Sequence, residues 1–525
     1  MLESFVFYLT LTVVIIALIL LARKIKVAYP VLLVIAGLII SFIPGIPKLH
    51  IEPELIFIIF LPPLLYEAAW QMSWKELWRW RRIVSSFAFL VVFLTALTVA
   101  VVTNSLIPGF TLALGFLLGG IVSPPDAVSA GAILKFVKVP RRTASILEGE
   151  SLLNDASSLI IFQFALTAVN TGKFVWYNAL GSFIWMLVGG IATGLLIGWV
   201  FMHIHKRILN DPNIDVMLSL VTPHIMYISA EEIHSSGVLA VVSGGLYLSS
   251  KRHTFLGSSS RLRSINVWES FSFILNGFVF IFIGLDLPQI ITGLGKTELS
   301  DAIDYGIIIT IVLIVIRLLA SYGALAFTLV ARNFITVADP RNPGWQAPIT
   351  IGWAGMRGVV SLASALSIPV MLDNGLMFPQ RNLILLITFI VILLTLIVQG
   401  LTLPLIIKKT NVKDLDYVKP EDEIDAEIHQ KVIKQGYEYL KSEYKKELKH
   451  EPQLLKLYTK WEKKAFSEDN LKISERYKKI YIDVLSHQRQ WLLEKNAKDE
   501  MLDENIIRKH LKLIDIEEVK LDLIK

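Results

Sequence analysis

The chain has 525 residues, of which 54% are hydrophobic, 18% are charged and none is cysteine. A soluble globular protein carries about a quarter charged residues, so this composition indicates a membrane protein. The absence of cysteine excludes disulfide bonds, thiolate metal sites and cysteine nucleophiles.

The charges divide the chain into two regions. Residues 411–525 hold 24 Lys and Arg and 25 Asp and Glu, whereas residues 1–410 hold 27 and 20. We predict a transmembrane domain over 1–410 and a soluble helical tail over 411–525, where apolar residues such as Ile424 and Ile428 recur at i+4. The tail could be a regulatory module, a partner-binding arm or an inert cover. The net charge of +6 falls in the loops of the membrane domain and does not indicate a nucleic-acid surface.

Apolar segments near the length of a membrane-spanning helix, about 20 residues, recur through the first region. Thirteen can be laid out, near 4–22, 28–44, 53–72, 84–106, 110–132, 144–168, 177–201, 216–232, 237–250, 265–285, 303–331, 349–371 and 382–406. The first lacks a basic leader and is predicted to be a retained span. The sequence therefore predicts an all-α polytopic protein of a cell membrane, embedded in the lipid bilayer.

Basic residues give the orientation. With the tail in the cytoplasm and the N-terminus outside, the predicted cytoplasmic loops hold 21 Lys and Arg and the outer loops hold four. This asymmetry is what the positive-inside rule requires. Trp70, Trp74, Trp78 and Trp80 cluster at one cytoplasmic edge, as an interfacial aromatic belt would.

The sixth segment carries a group of polar residues that a lipid-buried helix rarely holds. Ser151 and Asp155 lie one turn apart on one helical face, and Glu148 lies a heptad before Asp155. Such oxygen ligands suit a small dehydrated cation. A carboxylate buried away from water also holds a proton near neutral pH. Since one group that accepts either a proton or a cation is the minimal chemistry of an exchanger, we favour an ion-binding role for Asp155.

A structural role is the alternative for each buried acid. We favour that role for Glu150, because a buried Arg317 without a carboxylate partner would be strongly destabilising. These two residues are predicted to form an ion pair.

Two other segments are interrupted at corresponding places in the two halves. Pro124 and Pro125 break the fifth, and three glycines surround Arg357 in the twelfth. Paired interruptions of this kind indicate a binding site at the bilayer midplane. The freed carbonyl of Ser123 can ligate a cation, and Arg357 can neutralise the negative end of a broken helix.

These motifs resemble those of the sodium/proton antiporters, both the bacterial NhaP type and the eukaryotic sodium/hydrogen exchangers. The resemblance is carried by GESLLNDA at 149–156, FLPPLLYEAAW at 60–70, VSPPDAV at 122–128, VSGGLYLS at 242–249, FVFIFIGLDLP at 278–288, GMRGVVS at 355–361 and VQGLTLP at 398–404. It implies thirteen helices in two inverted six-helix repeats, a core domain that moves against a dimerisation domain, and a homodimer.

The resemblance also implies roles for single residues. Asp155 would exchange a proton for Na⁺, Asn154 would support it, and Ser151, Glu67 and the Ser123 carbonyl would complete the site. Glu150 and Arg317 match the structural ion pair of the family.

The sequence departs from many members of the family at one position, because the residue before the proline is Pro124 and the acid, Asp126, follows Pro125. Asp126 is therefore predicted to cap the half-helix or to line the cytoplasmic funnel. Glu148 and Arg357 are placed with it as support or funnel residues. A single exchanging carboxylate predicts electroneutral one-for-one exchange, which the resemblance also implies. No cofactor is expected.

Rival functions remain open on sequence grounds. An antiporter selective for K⁺ or another cation would use the same oxygen ligands, with Li⁺ also possible as a substrate. A passive cation channel lacks support because no repeated carbonyl filter is present. A membrane enzyme lacks support because neither HExxH nor GxSxG occurs.

Overall fold

The computed structural model describes residues 2–25, 27–43, 56–126, 129–131, 137, 139–172, 176–207, 211–285, 287–292, 294, 299–334, 341–342, 344–412, 421–466, 475–498 and 504–523. In these ranges the chain is helical, and its single β-bridge joins Met371 to Met377. The chain forms two compact units, residues 1–416 and 417–525.

The first unit contains fifteen described helices. They are α1 Leu2–Ile25, α2 Tyr29–Ser41, α3 Leu61–Gln71, α4 Trp74–Leu106, α5 Leu112–Val122, α6 Arg141–Thr171, α7 Trp176–Arg207, α8 Pro212–Glu232, α9 Gly237–Phe255, α10 Ser258–Leu285, α11 Leu287–Thr292, α12 Leu299–Ala331, α13 Gln346–Trp353, α14 Val359–Leu366 and α15 Arg381–Thr410. A π turn, Ile56–Phe60, precedes α3, and two more, Ser86–Val91 and Thr395–Gln399, lie within α4 and α15.

Helical structure occurs in all thirteen segments predicted to span the membrane. Among the described residues, seven helices are long and apolar enough to cross a membrane by themselves, namely α1, α4, α6, α7, α10, α12 and α15. Because the other crossings would be made by shorter, interrupted or less apolar helices, the count of thirteen stays a prediction.

The two interruptions lie where the sequence breaks the helical hydrogen-bond ladder. Helix α5 ends at Val122, directly before Ser123 and the two prolines, which have no N–H to donate. The second gap separates α13 from α14, and Gly355 and Gly358 lie within it.

Helix α6 lies between two packed groups of apolar side chains. One group includes Leu147 and Phe162 of α6 and residues of α5, α10 and α15. The other includes Leu152 and Ala156 of α6 and residues of α3, α8 and α9. The helix that carries the polar motif is therefore shared by both groups.

The second unit contains α16 Glu421–Glu443, α17 Glu447–His450, α18 Pro452–Phe466, α19 Glu475–Lys498 and α20 Glu504–Leu523. Helices α16 and α18 are joined by a hydrogen bond of 2.9 Å between the hydroxyls of Tyr437 and Tyr458. Helices α19 and α20 share a small apolar cluster, and Arg489 donates to Asp515 and Glu518 across them.

Candidate functional site

The two helix breaks meet each other. The backbone N–H of Asp126 donates to the carbonyl of Met356 at 2.7 Å, which joins the α5 break to the gap between α13 and α14. Gly358 makes this approach possible, since a Cβ there would lie 2.2 Å from Oδ2 of Asp126. Both breaks were predicted from the prolines and glycines, whereas no sequence pattern indicates this backbone bond.

Arg357 is buried where the two helix breaks meet, a place we call the crossing. Its side chain donates hydrogen bonds to backbone carbonyls of both breaks. Its Nε donates to the carbonyl of Val122 at 2.5 Å, and its Nη1 donates to the carbonyl of Gly355 at 2.7 Å. Val122 is the last residue of α5, whose unpaired carbonyls carry the negative end of the helix dipole. The backbone N–H of Arg357 donates to Oγ1 of Thr395, in the π turn of α15, at 3.1 Å.

The polar motif of α6 reaches the same crossing through Asn154. This residue is fully buried, and its Nδ2 donates to the carbonyl of Pro125 at 3.0 Å. In the part of the chain that the structure describes, Oδ1 of Asn154 and Oγ of Ser123 are buried without a hydrogen-bond partner. Buried polar oxygens normally have a partner, so both atoms are available to a water molecule or a cation.

Asp155 follows Asn154 and is 8% exposed. It lies within electrostatic range of Asp126. Asp126 itself accepts hydrogen bonds from the backbone N–H of Ser129 at 3.2 Å and from its Oγ at 2.5 Å, and so caps the turn that follows the break. Ser151, one turn before Asp155, is partly buried.

Two other acids predicted for the site lie at its edge. Glu67, on α3, is partly exposed and accepts a hydrogen bond from Gln71 on the same helix. Helix α3 packs against α6, the helix that carries Asp155, in the same apolar group. Glu148 is exposed on α6, outside the buried crossing.

Glu150 and Arg317, predicted as partners, are in direct contact. Nη1 and Nη2 of Arg317 donate to the two carboxylate oxygens of Glu150 at 2.6 and 2.9 Å. Both side chains are at most 3% exposed. This pair connects α12 to α6, one turn before Asp155.

Two contacts between helices of the first unit were not predicted. Ser157 donates a hydrogen bond to the carbonyl of Ala88, which lies in the π turn of α4. In a π turn the backbone hydrogen bonds run from i to i+5 and not from i to i+4. A buried pair of His205 and Asp215, 2.8 Å apart, joins α7 to α8. Neither contact has a local sequence signal, because π turns have no fixed motif and the second pair spans a helix connection.

The donors at the crossing are hard oxygens. Within the described ranges, no three His, Asp or Glu side chains converge on one point. A cation at Asp155 would therefore be bound largely by hydroxyl, amide and carbonyl oxygens, which suit a weakly bound monovalent ion better than a transition metal.

Interrupted helices that meet next to a helix with a buried carboxylate are typical of secondary ion transporters. The chain belongs to the sodium/hydrogen exchanger family, whose transmembrane family model matches residues 10–409. This membership confirms the resemblance drawn from the motifs. Because it is a family of transporters, it also confirms that the chain is not an enzyme.

Relatives are found in several bacteria. A sodium, potassium, lithium and rubidium/H⁺ antiporter of Bacillus pumilus is 34% identical over 389 residues, which cover 72% of this chain and 58% of that protein. The Na⁺/H⁺ antiporter ApNhaP of Aphanothece halophytica is 34% identical over 389 residues, covering 73% and 70%. An uncharacterized Na⁺/H⁺ exchanger of Mycobacterium tuberculosis is 29% identical over 521 residues, covering 95% and 93%. The chain thus spans less than two thirds of the Bacillus pumilus relative.

The fold matches a solved structure. The sodium proton antiporter MjNhaP1 from Methanocaldococcus jannaschii superposes with a TM-score of 0.62 at 22% identity, covering 80% of this chain and 100% of that one. The predicted all-α membrane fold is confirmed, whereas the inverted repeats stay a prediction.

Proposed function

We propose that this protein is a secondary antiporter that exchanges Na⁺ for H⁺ across the membrane, one for one. The observation that carries the proposal is the buried carboxylate of Asp155, which follows Asn154 on α6, together with two buried oxygens, Oδ1 of Asn154 and Oγ of Ser123, that lack partners within the described residues. A dehydrated cation would complete their coordination.

Proton and cation compete for one carboxylate. Protonated Asp155 is neutral and releases the cation, whereas ionised Asp155 binds it with Asn154 and Ser123, and with Ser151 from the preceding turn. The charges of Glu150 and Arg317 cancel in their ion pair, and the Arg357 guanidinium is bonded to carbonyls at the ends of the broken helices. Only Asp155 changes its occupant. One Na⁺ crosses in one half-cycle and one H⁺ crosses in the opposite direction in the other, so the exchange is electroneutral.

Alternating access requires that Asp155 face each side of the membrane in turn. Helix α6 suits this motion because it lies between the two packed groups of the first unit. A cavity of about 690 Å³ reaches Leu159, one turn beyond Asp155, and is bordered by Gln163, Glu231 and Glu232. Glu232 ends α8 on the side predicted to be extracellular, so we assign this cavity to the outer path.

The remaining assignments are also proposals. The protein is a homodimer in the cell membrane. Its N-terminus is outside and its tail is in the cytoplasm, and the distribution of basic residues supports this orientation. The named activity of the Bacillus pumilus antiporter makes K⁺ and Li⁺ substrates to test beside Na⁺.

Purified protein in liposomes with an internal pH dye tests the exchange. An imposed Na⁺, Li⁺ or K⁺ gradient should drive proton counter-flux in the wild type, at a rate that reports the preferred ion. Cation flux without proton flux would show a passive channel and contradict the proposal. With the membrane potential clamped by valinomycin and K⁺, the reversal point of Na⁺-driven flux should not move with voltage; a shift would contradict the one-for-one stoichiometry.

A further inference from the structure

The first three turns of α4 form an amphipathic segment at one end of a membrane-crossing helix. Residues Trp74–Ser85 begin at the N-cap Ser73 and continue without interruption into the apolar part of Trp74–Leu106. One face of the segment is buried through Leu77, Trp80 and Val84.

The opposite face is exposed and combines positive charge with aromatic surface. Lys75, Arg79, Arg81 and Arg82 are all exposed. Trp74 and Trp78 are 49% and 57% exposed, and their rings stack at 5.8 Å. The guanidinium of Arg81 lies over the Trp78 ring at 4.6 Å. We call these six residues the Trp–Arg face.

The acid of the segment, Glu76, is turned away from this face. It is buried and accepts a hydrogen bond from Nε1 of Trp80 at 3.2 Å, and Nη2 of Arg141 lies 3.8 Å from its other oxygen. Glu76 is therefore not part of the Trp–Arg face, whose four basic side chains are exposed.

We propose that the Trp–Arg face binds the headgroups of anionic phospholipids. Trp rings prefer the headgroup level of a bilayer. The attraction of an anionic leaflet for Lys and Arg increases binding about fivefold for each charge near the surface. Because α4 crosses the membrane from this point, the face is held at the interface, on the side predicted to be cytoplasmic.

The lipid-binding segment is packed against the helix that carries Asp155. Gly149 of α6 faces Leu77 and Val84, and a Cβ on it would lie 3.0 Å from Cδ1 of Leu77. The guanidinium of Arg142, near the start of α6, lies 4.3 Å over the Trp80 ring. A bound headgroup therefore stabilises the α4–α6 contact, and the stability of the folded protein should depend on lipid charge.

Thermal unfolding in mixed micelles tests the proposal, with phosphatidylglycerol as the anionic probe and phosphatidylcholine as the neutral one. The melting temperature of the wild type should rise with phosphatidylglycerol, and inorganic phosphate should not replace the lipid. Replacement of Lys75, Arg79, Arg81 and Arg82 by Gln should remove at least half of this rise. A matched control replaces four exposed basic residues elsewhere by Gln, namely Lys206, Arg207, Lys408 and Lys409, and should retain the rise.

An equal response of the two glutamine variants would overturn the proposal, as would an equal rise with inorganic phosphate. A second variant with Arg79, Arg81 and Arg82 replaced by Lys keeps the charge. It should keep at least half of the rise, and it decides the question if the glutamine variant does not fold. Loss of the response in the lysine variant, at an unchanged melting temperature in phosphatidylcholine, would overturn the proposal.

Discussion

Arg317 and Glu150 form a two-pronged hydrogen-bonded pair between α12 and α6, with both side chains removed from solvent. A buried ion pair adds little or no net stability, but removal of one partner leaves a costly unpaired charge. The pair therefore fixes α6 against α12 one turn from Asp155 without adding net charge to the site.

Replacement of Arg317 by Ala should lower the free energy of unfolding by about 3–5 kcal/mol, because Glu150 is left buried and unpaired. The double variant with Glu150→Gln should recover part of the loss. Thermal unfolding in detergent measures both effects, with the exposed Arg207→Ala as the control. An unchanged melting temperature in Arg317→Ala would show that the pair contributes nothing.

Gly355→Ala should be destabilising, by about 1–3 kcal/mol, because the new Cβ would lie 2.2 Å from Cδ of Arg317. Gly323→Ala, on the same helix as Arg317, meets no atom within 4 Å and should be neutral or stabilising. The comparison of the two melting temperatures separates a packing effect from the general effect of adding a methyl group. Similar values for both would contradict the close approach at Gly355.

Asp155→Asn should fold normally but should not exchange cations for protons, since Asn neither titrates nor carries a negative charge. Proton flux in liposomes and Na⁺ binding by calorimetry measure the two losses. Asp373→Asn, in an exposed loop, is the matched control and should transport at the wild-type rate. Wild-type flux in the Asp155 variant would end the assignment.

Ser123→Ala should weaken cation binding while leaving stability within about 0.5 kcal/mol of the wild type. Its Oγ has no hydrogen-bond partner among the described residues, so its removal strands no other group. The KM for Na⁺ should therefore rise at an unchanged melting temperature. An unchanged KM would exclude this hydroxyl from the ion site.

The KM for Na⁺ should depend on pH through competition at Asp155. Below the pH at which Asp155 takes up its proton, KM should rise about tenfold for each pH unit, because one proton displaces one cation. Transport should peak where proton and cation occupancy are balanced and fall at both extremes. A steeper rise, approaching a hundredfold per unit, would show that a second group such as Glu67 titrates in the cycle.

Hydropathy and composition were sufficient for the class of fold, because spanning segments leave long apolar runs and proline leaves a visible break. They also paired Arg317 with Glu150, since a buried arginine requires an acid. They did not predict that Asn154 would donate to the carbonyl of Pro125, and they placed Arg357 at the negative end of a broken helix without identifying the carbonyl of Val122 as its partner. Those contacts join residues that are 29 and 235 positions apart in the chain, and local sequence patterns do not encode contacts at such separations.

The bond between Asp126 and Met356 joins the two helix breaks through backbone atoms alone. Side chains can therefore be exchanged at either position without cutting this joint, and only proline at position 126 would remove the donor. The scaffold of the ion site is to that extent insulated from mutation. Substitutions of ion-binding side chains other than Arg357 and Asn154, whose side chains also hold the breaks, should therefore leave the contact between the two breaks in place.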